Sequence, residues 1–90
     1  MKILVVCGSG LGSSFMLELN VKKAAKELGI DAEVSHTDLT TAKSEQADYY
    51  IGSGDIMDQL SGGSRKTISL KNMFSMDELK QALQANILDA

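Results

Sequence analysis

The residues Cys7-Gly8-Ser9-Gly10-Leu11-Gly12-Ser13-Ser14 set one thiol ahead of three glycines at alternate positions. A glycine-rich turn between a strand and a helix points backbone N–H groups into one concavity. The helix N-terminus adds roughly half a positive charge. Together they make an anion site suited to phosphate. A thiol beside a helix N-terminus is enriched in thiolate. The stretch therefore combines a nucleophile with a cradle for phosphoryl oxygens, and Ser9, Ser13 and Ser14 add hydroxyl donors.

Familiar loops of this kind ask for other residues. A nucleotide P-loop needs lysine after its last glycine, where Ser13 stands here. A dinucleotide fingerprint needs two residues between its second and third glycines, but only Leu11 separates Gly10 from Gly12. A cysteine phosphatase closes its loop on an arginine at the position of Ser13, and Arg65 is the only arginine in the chain. Redox relays and arsenate reduction need a second cysteine, which is absent. What is left is a thiolate that receives a phosphoryl group without strong means of hydrolysing it. Phosphoryl transfer asks mainly for positioning and charge stabilisation. Backbone N–H groups supply both.

The elements must bring this stretch to a site. Lys2-Ile3-Leu4-Val5-Val6 is a continuous apolar run and reads as a strand buried on both faces. Leu17, Val21, Ala24, Ala25 and Leu28 recur at helical spacing. Ser13 or Ser14 is the expected N-cap. Gly29 followed by Ile30 predicts a Schellman ending. Residues 30–37 alternate apolar and polar, as an edge strand does. Asp38 to Gln46 reads as a weak polar helix or loop. Residues 48–52 form a second buried strand, 56–60 a short helix and 66–70 another edge strand. Met76, Leu79, Ala82, Leu83 and Ile87 give a last helix its stripe, with Ser75 and Glu78 as a capping pair.

This is βαβ(α)β(α)βα in a single domain, residues 1–90. Alternating strands and helices predict an α/β fold with a three-layer, four-stranded parallel sheet. Two central and two edge strands select the order 2-1-3-4, a small flavodoxin-like (phosphatase-I-like) arrangement. Ligands bind such sheets at the switch point, beyond the C-terminal ends of the first and third strands. Those ends are Cys7–Ser14 and Gly52–Asp55.

Composition agrees. Ninety residues bury only about 60–65% of the unfolded surface, enough for one core. A net charge of −3 without a basic stripe argues against nucleic acid. One cysteine allows neither a disulfide nor a cysteine-based zinc site, so no metal or other cofactor is expected. No apolar run nears the roughly 20 residues that span a bilayer, and no signal segment opens the chain. A reducing, cytoplasmic setting is expected, with no direct membrane insertion.

A Cys-Gly-x-Gly-x-Gly-Ser-Ser loop directly after a buried N-terminal strand resembles the enzyme IIB component of the sugar phosphotransferase system, in its ascorbate-type branch. The resemblance extends to the element order, the Gly29 helix ending and the stretch Ile68-Ser69-Leu70-Lys71-Asn72-Met73. It implies that Cys7 is a phosphocysteine and that Gly8, Ser9, Gly10, Leu11, Gly12, Ser13 and Ser14 hold the phosphoryl group. It also implies a phosphohistidine donor on a IIA protein and an acceptor sugar held by the membrane component IIC. From the residues alone, a regulatory module that binds phosphate without chemistry stays open, as does a divergent phosphatase.

Four further readings concern single residues. His36 shares parity with Ala32 and Val34 and reads as a hydrogen-bonded, partly buried residue rather than a base. Asp55 reads as an N-cap or first-turn residue. Phe15 and Met16, if not buried, make an apolar contact patch for IIA or IIC. Lys22, Lys23 and Lys26 read as a solvated helix face. The thiol itself is testable. The alkylation rate of Cys7 should reach half its maximum below the free-cysteine value of about 8.5. A pH profile with a normal or higher midpoint would remove the activated thiolate.

Overall fold

A computed structural model describes residues 1–7, 11–60, 65–72 and 75–88, with Cys7 and residues 11–14 described by their backbone. Strand β1 (Lys2–Cys7) lies between β2 (Glu33–Asp38) and β3 (Tyr49–Ser53), and β4 (Thr67–Leu70) flanks β3. All pairings are parallel and the order is β2-β1-β3-β4, as the sequence pattern predicts. Helix α1 (Leu11–Glu27) and α4 (Met76–Leu83) cover one face of the sheet, while α2 (Leu39–Ala42) and α3 (Gly54–Leu60) cover the other.

The apolar run of β1 is continuous because each face has its own core. Ile3 and Val5 join Leu17, Val21, Ala24, Leu79 and Leu83 beneath α1 and α4. Leu4 and Val6 join Ala42, Met57 and Leu60 beneath α2 and α3. All four β1 side chains are at most 1% exposed. Full burial of such a side chain is worth about 1.5–3 kcal/mol. β3 divides in the same way, with Tyr49 and Ile51 in the first core and Tyr50 in the second. The hydroxyls of the two tyrosines donate to the carbonyls of Asn86 and Glu45 respectively. β2 buries Val34 alone, with Ser35 and Thr37 half-buried and Glu33, His36 and Asp38 exposed, so its edge position opens both of its faces in part instead of alternating one covered side with one open side.

Several boundaries differ from the sequence expectation. α1 begins at Leu11, so Ser13 and Ser14 lie inside its first turn instead of capping it. Gly12 does not hold the helix back, because a glycine near a helix end costs little against a long buried stripe. β2 starts at Glu33 and not at Ile30. Residues 28–32 are taken up by the Schellman turn and the return to the sheet. There Gly29 N–H donates to Lys26 O at 3.1 Å, and Ile30 N–H donates to Ala25 O at 2.8 Å. That is the paired bonding of the Schellman motif. β3 runs to Ser53 and passes into α3 at Gly54 without an intervening turn.

Asp38 ends β2 and also caps α2, its carboxylate accepting from Thr41 N–H at 2.8 Å. Hydrogen bonds from Thr41, the side chain's first and then the backbone's, hold the Asp38 carboxyl below the usual range. Ser75 caps α4 as expected, accepting from Glu78 N–H. The carboxylate of Glu78 does not return to Ser75. It accepts from Lys71 N–H and Asn72 N–H instead, which fastens the end of β4 to α4. The last helix widens into a π-helical turn, Gln84–Leu88. Asn86 Nδ2 takes the Ala82 carbonyl at 2.8 Å, the acceptor an α-helix would give to the Asn86 N–H. Lys80 and Glu27 pair at 2.9 Å and tie α4 to the end of α1, and Lys80 lowers the Glu27 pKa.

Gly29 has a φ of +75°, where a side chain costs about 1–2 kcal/mol. Gly29→Ala should lose about that much in urea unfolding. Gly54→Ala, with nothing within 4 Å of the added carbon, should not. Equal midpoints for the two variants would remove the strained turn from the account.

Candidate active site

Cys7 is the last residue of β1, at the C-terminal edge of the sheet and in register with Asp38 of β2. Gly8, Ser9 and Gly10 of the expected phosphate loop lie outside the described residues. Leu11, Gly12, Ser13 and Ser14 form the first turn of α1. The first four N–H groups of a helix have no partner within it, and here they belong to these four residues. A helix of 17 residues stands behind them, so its partial positive charge begins four residues beyond Cys7 along the chain. The other wall is the β3–α3 junction, Ser53 to Asp55, at the same end of the sheet. Asp55 sits in the first turn of α3, the second of its two expected positions.

The approach of β3 to β1 beside Cys7 depends on Gly52. A Cβ at this position would stand 2.5 Å from the Val6 carbonyl oxygen and 3.2 Å from Met57 Cε. The oxygen belongs to the peptide that leads into Cys7, so it cannot yield without moving the cysteine. The neighbouring Asp38 carboxylate is committed to its helix cap.

Arg65 is remote. It precedes β4 at the N-terminal end of the parallel sheet, opposite Cys7. Its guanidinium donates to Lys43 O at 2.8 Å and Leu60 O at 3.4 Å, closing the C-terminal ends of α2 and α3. The one guanidinium of the chain is therefore a brace for the fold, at the other end of the sheet from the Cys7 backbone.

A charged cluster flanks the site. Glu18 of α1 is 9% exposed. One carboxylate oxygen lies 3.0 Å from His36 Nδ1 of β2, and the other lies 3.6 Å from Lys22 Nζ. Two partners offset the cost of taking a carboxylate out of water. His36 is hydrogen-bonded, as expected, but its side chain is 37% exposed, more open than Val34 two residues earlier. Its ring meets Phe15 edge to face, with centroids 6.3 Å apart. Sequence reasoning missed Glu18. The signal was its spacing: it stands three residues before Val21 and seven before Ala25, on the flank of the buried stripe. Phe15, Met16 and Leu19 are exposed. Among the described residues no group of three or more side chains is placed to hold a metal ion, and no helix is long and apolar enough to cross a membrane.

Fold and site together define a small parallel α/β domain with a cysteine at its switch point and a helix N-terminus beside it. The chain matches, over residues 2–85, the family described as PTS system, Lactose/Cellobiose specific IIB subunit, and it belongs to that family. It is 31% identical over 84 residues to the ascorbate-specific PTS system EIIB component of Mycoplasma pneumoniae, covering 90% of this chain and 88% of that protein. It is 34% identical over 77 residues to the proteins of the same description in Salmonella choleraesuis and Salmonella typhimurium, covering 82% of this chain and 76% of theirs.

Gly52→Ala should lower stability by about 1–3 kcal/mol, the usual cost of overpacking, and should shift the amide resonances of Val6 and Cys7. A variant as stable as the wild type with those resonances unmoved would show that β3 can retreat without touching the site.

Proposed function

We propose that the protein is a phosphoryl carrier of the sugar phosphotransferase system and that Cys7 carries the group. The observation that carries this reading is the position of Cys7 at the end of β1, four residues ahead of the first-turn N–H groups of α1, in a chain of the IIB family. The Cys7 thiolate attacks phosphorus of a phosphohistidine on IIA. The S–P bond forms as the P–N bond breaks, and the imidazole leaves with the electron pair and takes up a proton. A hydroxyl of the sugar held by IIC then attacks the same phosphorus. The O–P bond forms, the S–P bond breaks, the thiolate is restored, and the hydroxyl proton passes to solvent or a nearby base. Gly8, Ser9, Gly10, Leu11, Gly12, Ser13 and Ser14 hold the phosphoryl oxygens through backbone N–H groups, so no metal or cofactor is required.

Arg65 lies at the far end of the sheet, which supports relay over hydrolysis: a bidentate guanidinium beside the thiol would hold the group more firmly. The names of the relatives point to ascorbate as the sugar. The carrier works in the cytoplasm between a soluble donor and a membrane acceptor.

The test is transfer from phosphoenolpyruvate through the general phosphotransferase proteins and IIA, read by intact mass and peptide mapping. Wild type should gain one phosphoryl group on Cys7, and Cys7→Ala should gain none. Equal labelling of the two proteins would rule the reading out. Phosphate binding that survives Cys7→Ala, with no adduct on the wild type, would replace it with a non-covalent phosphate-binding module.

A further inference from the structure

Helix α1 turns one arc of its surface to water, and that arc is divided in two. At 3.6 residues per turn, Phe15, Met16, Leu19, Lys22, Lys23 and Lys26 fall within about 120° of one another, opposite the buried Leu17, Val21 and Ala24. Phe15 is 51% exposed, Met16 48% and Leu19 43%. They occupy the turns nearest Cys7. The three lysines are exposed and occupy the turns beyond them. Helix α1 carries three lysines against two glutamates, Glu18 and Glu27, both outside this arc and paired with Lys22 and Lys80 respectively, and the rest of the chain carries six basic residues against ten acidic ones. This arc is thus the cationic face of an acidic protein, with an apolar patch at the end that adjoins the site. Three large apolar side chains exposed together are an interaction surface rather than the scattered exposure of an ordinary surface. Phe15 is also held in place, its ring against His36, which Glu18 fixes in turn.

We infer that Phe15, Met16 and Leu19, with Lys23 and Lys26 behind them, form the docking surface for the soluble phosphohistidine donor, IIA. The face it meets on that protein is apolar with an acidic rim. The inference rests on the carrier reading above and adds to it which of the two partners this surface serves. Charge decides between them. Cytoplasmic loops of membrane proteins carry an excess of Lys and Arg, a poor complement to a cationic helix face. An acidic rim on a soluble donor is steered toward the same face and fixed in register by it. The apolar patch supplies the central anchor, in the manner of aromatic and aliphatic hot spots ringed by charge.

The experiment measures the initial rate of transfer from phosphorylated IIA against IIA concentration, for wild type, Leu19→Ser and the double variant Lys23→Glu/Lys26→Glu. These side chains are exposed, so the variants should fold, and circular dichroism checks that they do. Leu19→Ser should raise KM about tenfold, the scale of one anchoring contact, with the effect falling in KM rather than kcat. The charge-reversed variant should lose kcat/KM strongly at about 0.05 M salt and much less at about 0.5 M, where screening is short-ranged. Wild-type KM in both variants, alongside an unlabelled Cys7→Ala protein, would sink the docking surface and leave the carrier role standing. Labelling of Cys7→Ala would sink the carrier role beneath it. Two other results would reassign the surface and so overturn the inference. One is a defect confined to transfer into IIC-containing vesicles. The other is a dimer in sedimentation that Leu19→Ser dissolves.

Discussion

Everything in this fold follows from the burial of β1 between two strands and two helical layers. Its backbone is paired on both edges and its side chains fill both cores. A strand held on four sides cannot slide, because a one-residue slip would exchange its two faces and break both cores at once. Cys7 ends that strand and pairs with Asp38 of β2, so its backbone is placed by the most enclosed strand of the sheet. The approach of β3 tightens the same constraint. Gly52 stands where any side chain would strike the peptide leading into the cysteine.

The two sides of the sheet divide the labour unequally. The α1–α4 side holds the longer helices and the larger core. It also carries the charged cluster of Glu18, His36 and Lys22 and the exposed apolar patch. The α2–α3 side is small and is closed at its far end by Arg65. A single arginine can brace helix ends or grip a phosphoryl group, and the topology places this one for the first task. The one guanidinium of the chain therefore lies at the end of the sheet opposite Cys7.

Much of this was legible in the sequence. The unbroken apolar run of Ile3 to Val6 against the alternation of residues 30–37 separates central strand from edge strand, and with it predicts the strand order. Gly29 followed by Ile30 spells out the helix ending down to its two hydrogen bonds. The N-terminus of α1 was not legible to the residue. Serines are good caps and good first-turn residues alike, and a glycine between them does not decide. The β3–α3 junction was hidden for a similar reason, since Ser53-Gly54-Asp55 reads equally well as a turn or as a helix start. The return of Glu78 to Lys71 and Asn72 needs the strand beside the helix, which no local pattern contains. Glu18 was hidden by its chemistry. A glutamate on an amphipathic helix reads as solvated until a histidine on the neighbouring strand is found within hydrogen-bond reach.

The two tyrosines have a practical consequence. The chain has no tryptophan, so its near-ultraviolet signal is dominated by Tyr49 and Tyr50. These neighbours point to opposite sides of the sheet, one into each core, and each hydroxyl is bound to a carbonyl. The intrinsic spectroscopy of the protein is therefore a two-channel probe with the channels on adjacent residues. Replacing one tyrosine with phenylalanine isolates the layer reported by the other.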